Sequence, residues 1–167
     1  IAISLAMKGY KVILVDADLR NPSTAKVLGM QEQELGTLQV LKGEVKIEDA
    51  VQPYKDTSVM VLAGSSPIQD TSTVLSGENM RQFIKELEAK ADFVVIDTPP
   101  SAMLSDAAIV AQYVDGAVFV IRQDYTEADR ILEGMEILSS SGAQITGCIL
   151  NDANVKGNSS EHYKNSY

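Results

Sequence analysis

Three observations predict an α/β fold built on a doubly wound, mostly parallel sheet. Short apolar runs rich in β-branched residues (VILV, VMVL, FVVI, AVFVI, CIL) recur along the chain. They read as continuous blocks rather than as alternating patterns, the mark of strands covered on both faces. Helical periodicity separates them, so strand and helix alternate over 167 residues, a length that suits one domain with right-handed crossovers.

In chain order, Ile1–Met7 reads as the last turns of a helix, closed by Lys8-Gly9. A helix without a visible start predicts that a strand and a loop precede it in the whole protein, so the domain is expected to be N-terminally truncated. Lys11–Asp16 is the first strand, followed by two weaker helical stretches, 35–41 and 47–51, on either side of Gly43. The next strand is 58–62. Met80, Phe83, Ile84 and Leu87 then recur at helical spacing, with Glu78, Arg81, Lys85 and Glu88 elsewhere on the cylinder. Phe93–Asp97 is a strand, and Ser105 is placed to cap a short helix through Tyr113. After the strand Ala117–Arg122, Thr126 is expected to cap a helix with Asp129 three residues on. That helix buries Ile131, Met135 and Leu138 and stops near Gly142. The strand Ile145–Leu150 ends the pattern. Tyr113 and Tyr125 fall inside the folded part and are expected to pack with a hydrogen-bonded hydroxyl. Residues 154–167 are polar and aperiodic, so the chain divides into a domain over 1–153 and a flexible tail over 154–167.

Composition narrows the chemistry. A hydrophobic content of 45% excludes wholesale disorder, and a net charge of −9 argues against nucleic acid as a partner. No apolar run reaches the roughly 18 residues of a membrane span, and the basic residues of the opening follow its apolar stretch, the reverse of a secretory leader. One cysteine, Cys148, forms no internal disulfide, so a reducing cytoplasm is the expectation. One histidine, His162, leaves no His-based metal cluster or catalytic triad. Carboxylates must carry the chemistry.

Two strands end in aspartate, where a parallel sheet presents its ligand crevice. One continues as Asp16-Ala17-Asp18-Leu19-Arg20, the other as Asp97-Thr98-Pro99-Pro100. Aspartate at a strand end is commonplace turn chemistry, but two such strands, one with DxDxR and one with DxPP, favour a functional reading. Hard oxygen ligands suit Mg²⁺, which is held by one or two carboxylates together with substrate phosphates. Arg20 offers a planar cation to a phosphate or to a neighbouring carboxylate, or else is a solvated surface residue. A phosphate-cradling G-x-x-x-x-G-K-[ST] loop occurs nowhere in the chain.

These blocks resemble a known family. DADLR resembles the Walker A′ motif, and VVIDTPP the Walker B motif, of the bacterial tyrosine kinases (BY-kinases) of capsule and exopolysaccharide synthesis. The likeness runs on through LGTLQVLKGEVKIEDAVQP, VMVLAGSSP, STVLSGENM, GAVFVIRQDYTEAD and GCILND, to about residue 154. The resemblance implies a P-loop NTPase-like fold and an ATP- and Mg²⁺-dependent autokinase acting on tyrosine. Asp16 and Asp18 then match the paired Walker A′ aspartates and Asp97 the Walker B aspartate, all three expected as catalytic and Mg²⁺-binding carboxylates, while Arg20 matches the motif's arginine and is expected at the nucleotide. Asp16 is the better match for activating the attacking hydroxyl, Asn151 resembles the asparagine that meets adenine in related ATPases, and Tyr163 and Tyr167 stand where the family carries its phosphorylated tyrosine cluster. Without the phosphate loop, the chain as given is expected to bind ATP poorly or not at all. It also departs from the family at Pro67–Thr71, where a Pro- and Asn-Pro-containing stretch is usual.

By the same resemblance the expected partners are a membrane activator that regulates chain length, or a fused membrane domain, with a cognate tyrosine phosphatase and a ring-type homo-oligomer. The expected location is the cytoplasmic face of the plasma membrane. Two other readings stand beside the kinase: a switch ATPase of the partition and division-site type, and a degenerate regulatory domain.

Overall fold

The structure, a computed structural model, describes residues 1–101 and 105–153. Helix α1 (Ala2–Met7) leads into strand β1 (Val12–Asp16), and then α2 (Thr24–Leu28), α3 (Thr37–Leu41) and α4 (Ile47–Ala50) follow. Strands β2 (Gln52–Pro53) and β3 (Val59–Leu62) precede the long helix α5 (Gly77–Glu88) and strand β4 (Phe93–Asp97). Helix α6 (Asp106–Val110), with a 3₁₀ turn over Ala111–Tyr113, then leads to β5 (Ala117–Arg122), α7 (Ala128–Ser140) and β6 (Ile145–Asn151).

Four strands form one sheet in the order β2-β3-β1-β4, parallel except for β2, and β5 and β6 form a separate parallel pair. Successive side chains of a strand face opposite ways, and β1 divides its apolar residues accordingly. Ile13 and Val15 join Leu38, Phe83, Ile84 and Leu87 on one face, while Val12 meets Ala2, Val59 and Val61 on the other. Both faces of the central strands are therefore covered, as a doubly wound sheet requires. The periodicity of α5 is borne out: Met80, Phe83, Ile84 and Leu87 are all buried. Each such side chain contributes roughly 1.5–3 kcal/mol by leaving water.

The expectation of two-sided burial fails beyond the centre. Strand β4 is the last of its sheet and is only partly covered, and β5 alternates: Val118 and Val120 are exposed while Phe119 packs toward Leu138 and Ile145. Helix α7 covers one face of this pair and nothing among the described residues covers the other. An apolar run thus records composition, not the number of faces covered.

Smaller corrections follow from local geometry. The residue capping α7 is Glu127, not Thr126, and it makes no side-chain cap bond. Ser105 does precede α6, but its hydroxyl does not cap it. Tyr113 accepts a hydrogen bond from Gly77 N–H at 3.0 Å, as expected of a packing tyrosine. Tyr125 does not pack: it is exposed, with the Arg122 guanidinium 5.1 Å from its ring centre.

Candidate functional site

Parallel register places Asp16 directly beside Asp97 at the ends of β1 and β4. Neighbouring strands lie about 4.8 Å apart, so the two carboxylates share one edge of one sheet. The pairing continues one residue further, with Ala17 N–H donating to Asp97 O at 2.8 Å.

The three aspartates differ in their surroundings. Asp16 is 1% exposed. Its Oδ1 accepts from the Asp18 amide at 3.1 Å, and its Oδ2 from the amides of Ser23 and Thr24 at 3.0 and 2.9 Å. These bonds fold the chain after β1 back on itself and start α2. Asp18 is half-buried, and among the described residues the hydrogen bonds to its carboxylate all fall on Oδ1, from the amides of Arg20 and Asn21 at 3.2 and 2.9 Å. Asp97 stands at the solvent-facing rim. Its carboxyl is held above the usual carboxylate range, first by loss of hydration and then by the charges of Asp16 and Asp18, against the opposing Thr98 amide.

That repulsion suits a cation. Among the described residues no three ligating side chains are arranged to hold a metal unaided. Asp18 and Asp97 do fit the part that a protein plays for Mg²⁺, one or two carboxylates beside waters and phosphates. A cleft of about 490 Å³ opens beside this loop, between Asn21–Lys26 and Gly64–Pro67. Gly64 makes this close approach possible: a Cβ there would lie 2.1 Å from Pro22 Cβ and 3.3 Å from Asp16 Oδ2.

Arg20 turns to neighbouring loops. Its Nε and Nη2 donate to Asp106 at 2.8 and 3.2 Å, Nη1 to Gln69 O at 2.9 Å, and Nη2 also to Thr71 Oγ1 at 2.6 Å. The carboxylate of Asp106 holds the guanidinium above its ordinary pKa, against some loss of hydration. Sequence reasoning missed Asp106, which is fully buried at the first turn of α6, 86 residues from its partner. No local pattern announces such a pair. Asn151 ends β6 in the two-stranded sheet, not the sheet of Asp16 and Asp97, and its carbonyl accepts from Gln123 N–H. Tyr163, Tyr167 and His162 lie outside the described residues.

A mostly parallel sheet with helices on both faces and carboxylates gathered at adjoining strand ends is a doubly wound α/β architecture, one that P-loop NTPases share. Structural comparison agrees. The septum site-determining protein MinD of Pyrococcus horikoshii, complexed with Mg-ADP, matches with a TM-score of 0.73 at 23% identity, over 98% of this chain and 68% of that one, a likeness of fold. The AAA domain family model matches residues 1–141. Tyrosine-protein kinase YwqD of Bacillus subtilis (strain 168) is 31% identical over 163 residues, 98% of this chain and 68% of that protein. The kinase domain of Escherichia coli tyrosine kinase ETK matches with a TM-score of 0.83 at 27% identity, over 94% of this chain and 62% of that one. The chain belongs to the AAA domain family and, within it, to the bacterial tyrosine-protein kinases.

Proposed function

We propose that this chain is part of an ATP- and Mg²⁺-dependent protein-tyrosine autokinase that controls the length and export of a capsular or exopolysaccharide chain. The observation that carries the reading is the register pairing of Asp16 with Asp97, which puts the two acidic motifs at one sheet edge. Asp18 and Asp97 hold Mg²⁺, which supplies charge neutralisation to the nucleotide phosphates. Asp16, locked by three amides, orders the loop, and by its place in the DADLR motif it is the carboxylate that activates an incoming tyrosine hydroxyl. Asn151 contacts the adenine.

A further parallel strand, carrying the phosphate loop, lies between the unpaired edge of β4 and the β5–β6 pair. This proposal rests on the division of the sheet there. Without that loop the chain is inactive. Tyr163 and Tyr167 are the acceptors, reached by a neighbouring subunit in a ring-type oligomer. A membrane activator or fused membrane domain brings the kinase to the cytoplasmic face of the membrane, and a cognate phosphatase reverses the reaction.

The test is Mg²⁺-dependent labelling of the domain carrying its phosphate loop, followed by mass spectrometry. Phosphate is expected on Tyr163 and Tyr167, with a rate rising with protein concentration. Tyr163→Phe with Tyr167→Phe should abolish tail labelling, and Asp97→Asn should lower the rate by orders of magnitude with the fold intact. ATP consumption without phosphotyrosine would put the switch-ATPase reading ahead.

A further inference from the structure

One guanidinium ties together the segments that follow three strands of the main sheet. Arg20 belongs to the loop after β1, Gln69 and Thr71 to the segment after β3, and Asp106 to the helix after β4. The contacts close into a ring, because Thr71 Oγ1 also donates to Asp106 Oδ1 at 2.8 Å. Thr71 and Asp106 are both fully buried. An anion so placed is tolerable only with its cation and hydroxyl in place.

Four donor contacts leave this guanidinium little capacity for a nucleotide phosphate. Its backbone points to another use. The amides of Arg20 and Asn21 hold Asp18 Oδ1. Leu19, between Asp18 and Arg20, is 1% exposed and its carbonyl accepts from Ile68 N–H at 2.9 Å. The side chain of Arg20 therefore anchors the peptide groups that hold Asp18 Oδ1, and the Asp18 charge acts on the Asp97 carboxyl at the end of β4.

We infer that Arg20, clamped by Asp106 and Thr71, is a positioning residue that fixes Asp18 for the divalent cation, rather than a ligand of the nucleotide. This inference rests on the reading of Asp18 and Asp97 as the metal carboxylates. Residues that orient metal ligands from behind typically govern affinity by 10–100-fold. Arg20→Lys keeps the charge but loses the planar fork that meets three partners at once.

The experiment is titration of the chain with Mn²⁺ alone, followed by paramagnetic broadening of backbone amide NMR signals, with the melting temperature measured in parallel. In the parent, broadening should centre on residues 17–20 and 97–98. Arg20→Lys should raise the Mn²⁺ midpoint about tenfold. Thr71→Val should shift it in the same direction, and Thr71→Ser, which keeps the hydroxyl, should restore the parent value. Combining Arg20→Lys with Thr71→Val should shift the midpoint by less than the two single effects together, because both break one ring. If Asp97→Asn raises the midpoint while Arg20→Lys and Thr71→Val only lower the melting temperature, the clamp is purely structural and the inference is overturned. If Asp97→Asn leaves the midpoint unmoved, the metal reading falls and takes the inference with it.

Discussion

The Asp97 carboxyl carries a consequence for stability as well as for metal binding. Its folded-state pKa is raised by lost hydration and by its two acidic neighbours. The unfolded chain therefore releases this proton at lower pH than the folded one. Stability is lost as pH rises from the ordinary carboxylate value, about 3.9, through the raised folded value, and the deficit persists at neutral pH. Asp97→Asn removes the penalty. The variant is expected to melt higher than the parent at pH 7, with the gain vanishing near pH 3. Thermal denaturation across that range checks it, and a lower melting temperature at pH 7 would contradict the electrostatic account. The Asp97 carboxylate is thus a stability cost at neutral pH, one that a divalent cation held beside it would offset.

Among the elements, Gly64 shows how closely the segment after β3 must approach the loop after β1. A methyl group there meets Pro22 and presses toward Asp16. Gly64→Ala should therefore cost about 1–3 kcal/mol and disturb the amides of Ser23 and Thr24 that hold Asp16. Urea denaturation gives the first, and chemical-shift changes over 16–24 the second. Elements with a strong internal period were legible in the sequence, as the four buried residues of α5 show. The strand ends at Asp16 and Asp97 were legible too, because acidic residues closing apolar blocks stand out. The two-residue strand β2 and the five-residue helix α2 were not, since each is held by contacts outside itself: β2 by pairing with β3, α2 by Asp16. The Arg20–Asp106 pair was invisible for a related reason. Its partners meet only when the sheet assembles, and neither residue carries a local mark of the other.

Taken whole, the molecule has a firm half and an open half. Strands β1 and β3 lie between two covered faces, whereas β4 offers one unpaired edge and the β5–β6 pair leaves Val118, Val120 and Leu150 in solvent. Among the described residues no helix is long and apolar enough to cross a membrane, and those apolar side chains lie on the exposed surface of a sheet. They were misread from the sequence because an apolar block looks the same whether one face is covered or two.

An unpaired strand edge beside an apolar face is also a template onto which other chains can add. A charge of −9 makes copies of this chain repel one another at neutral pH, and that charge disappears at the isoelectric point near pH 4.5. Light scattering should therefore climb steeply as the pH approaches 4.5, and at neutral pH it should climb when about 1 M salt shortens the screening distance to about 3 Å. Replacing Val120 by Glu, which puts a charge on the open face and adds to the net negative charge, should lower both rises. Colloidal behaviour of this chain follows from the strand edge and the apolar face that its sheets leave open.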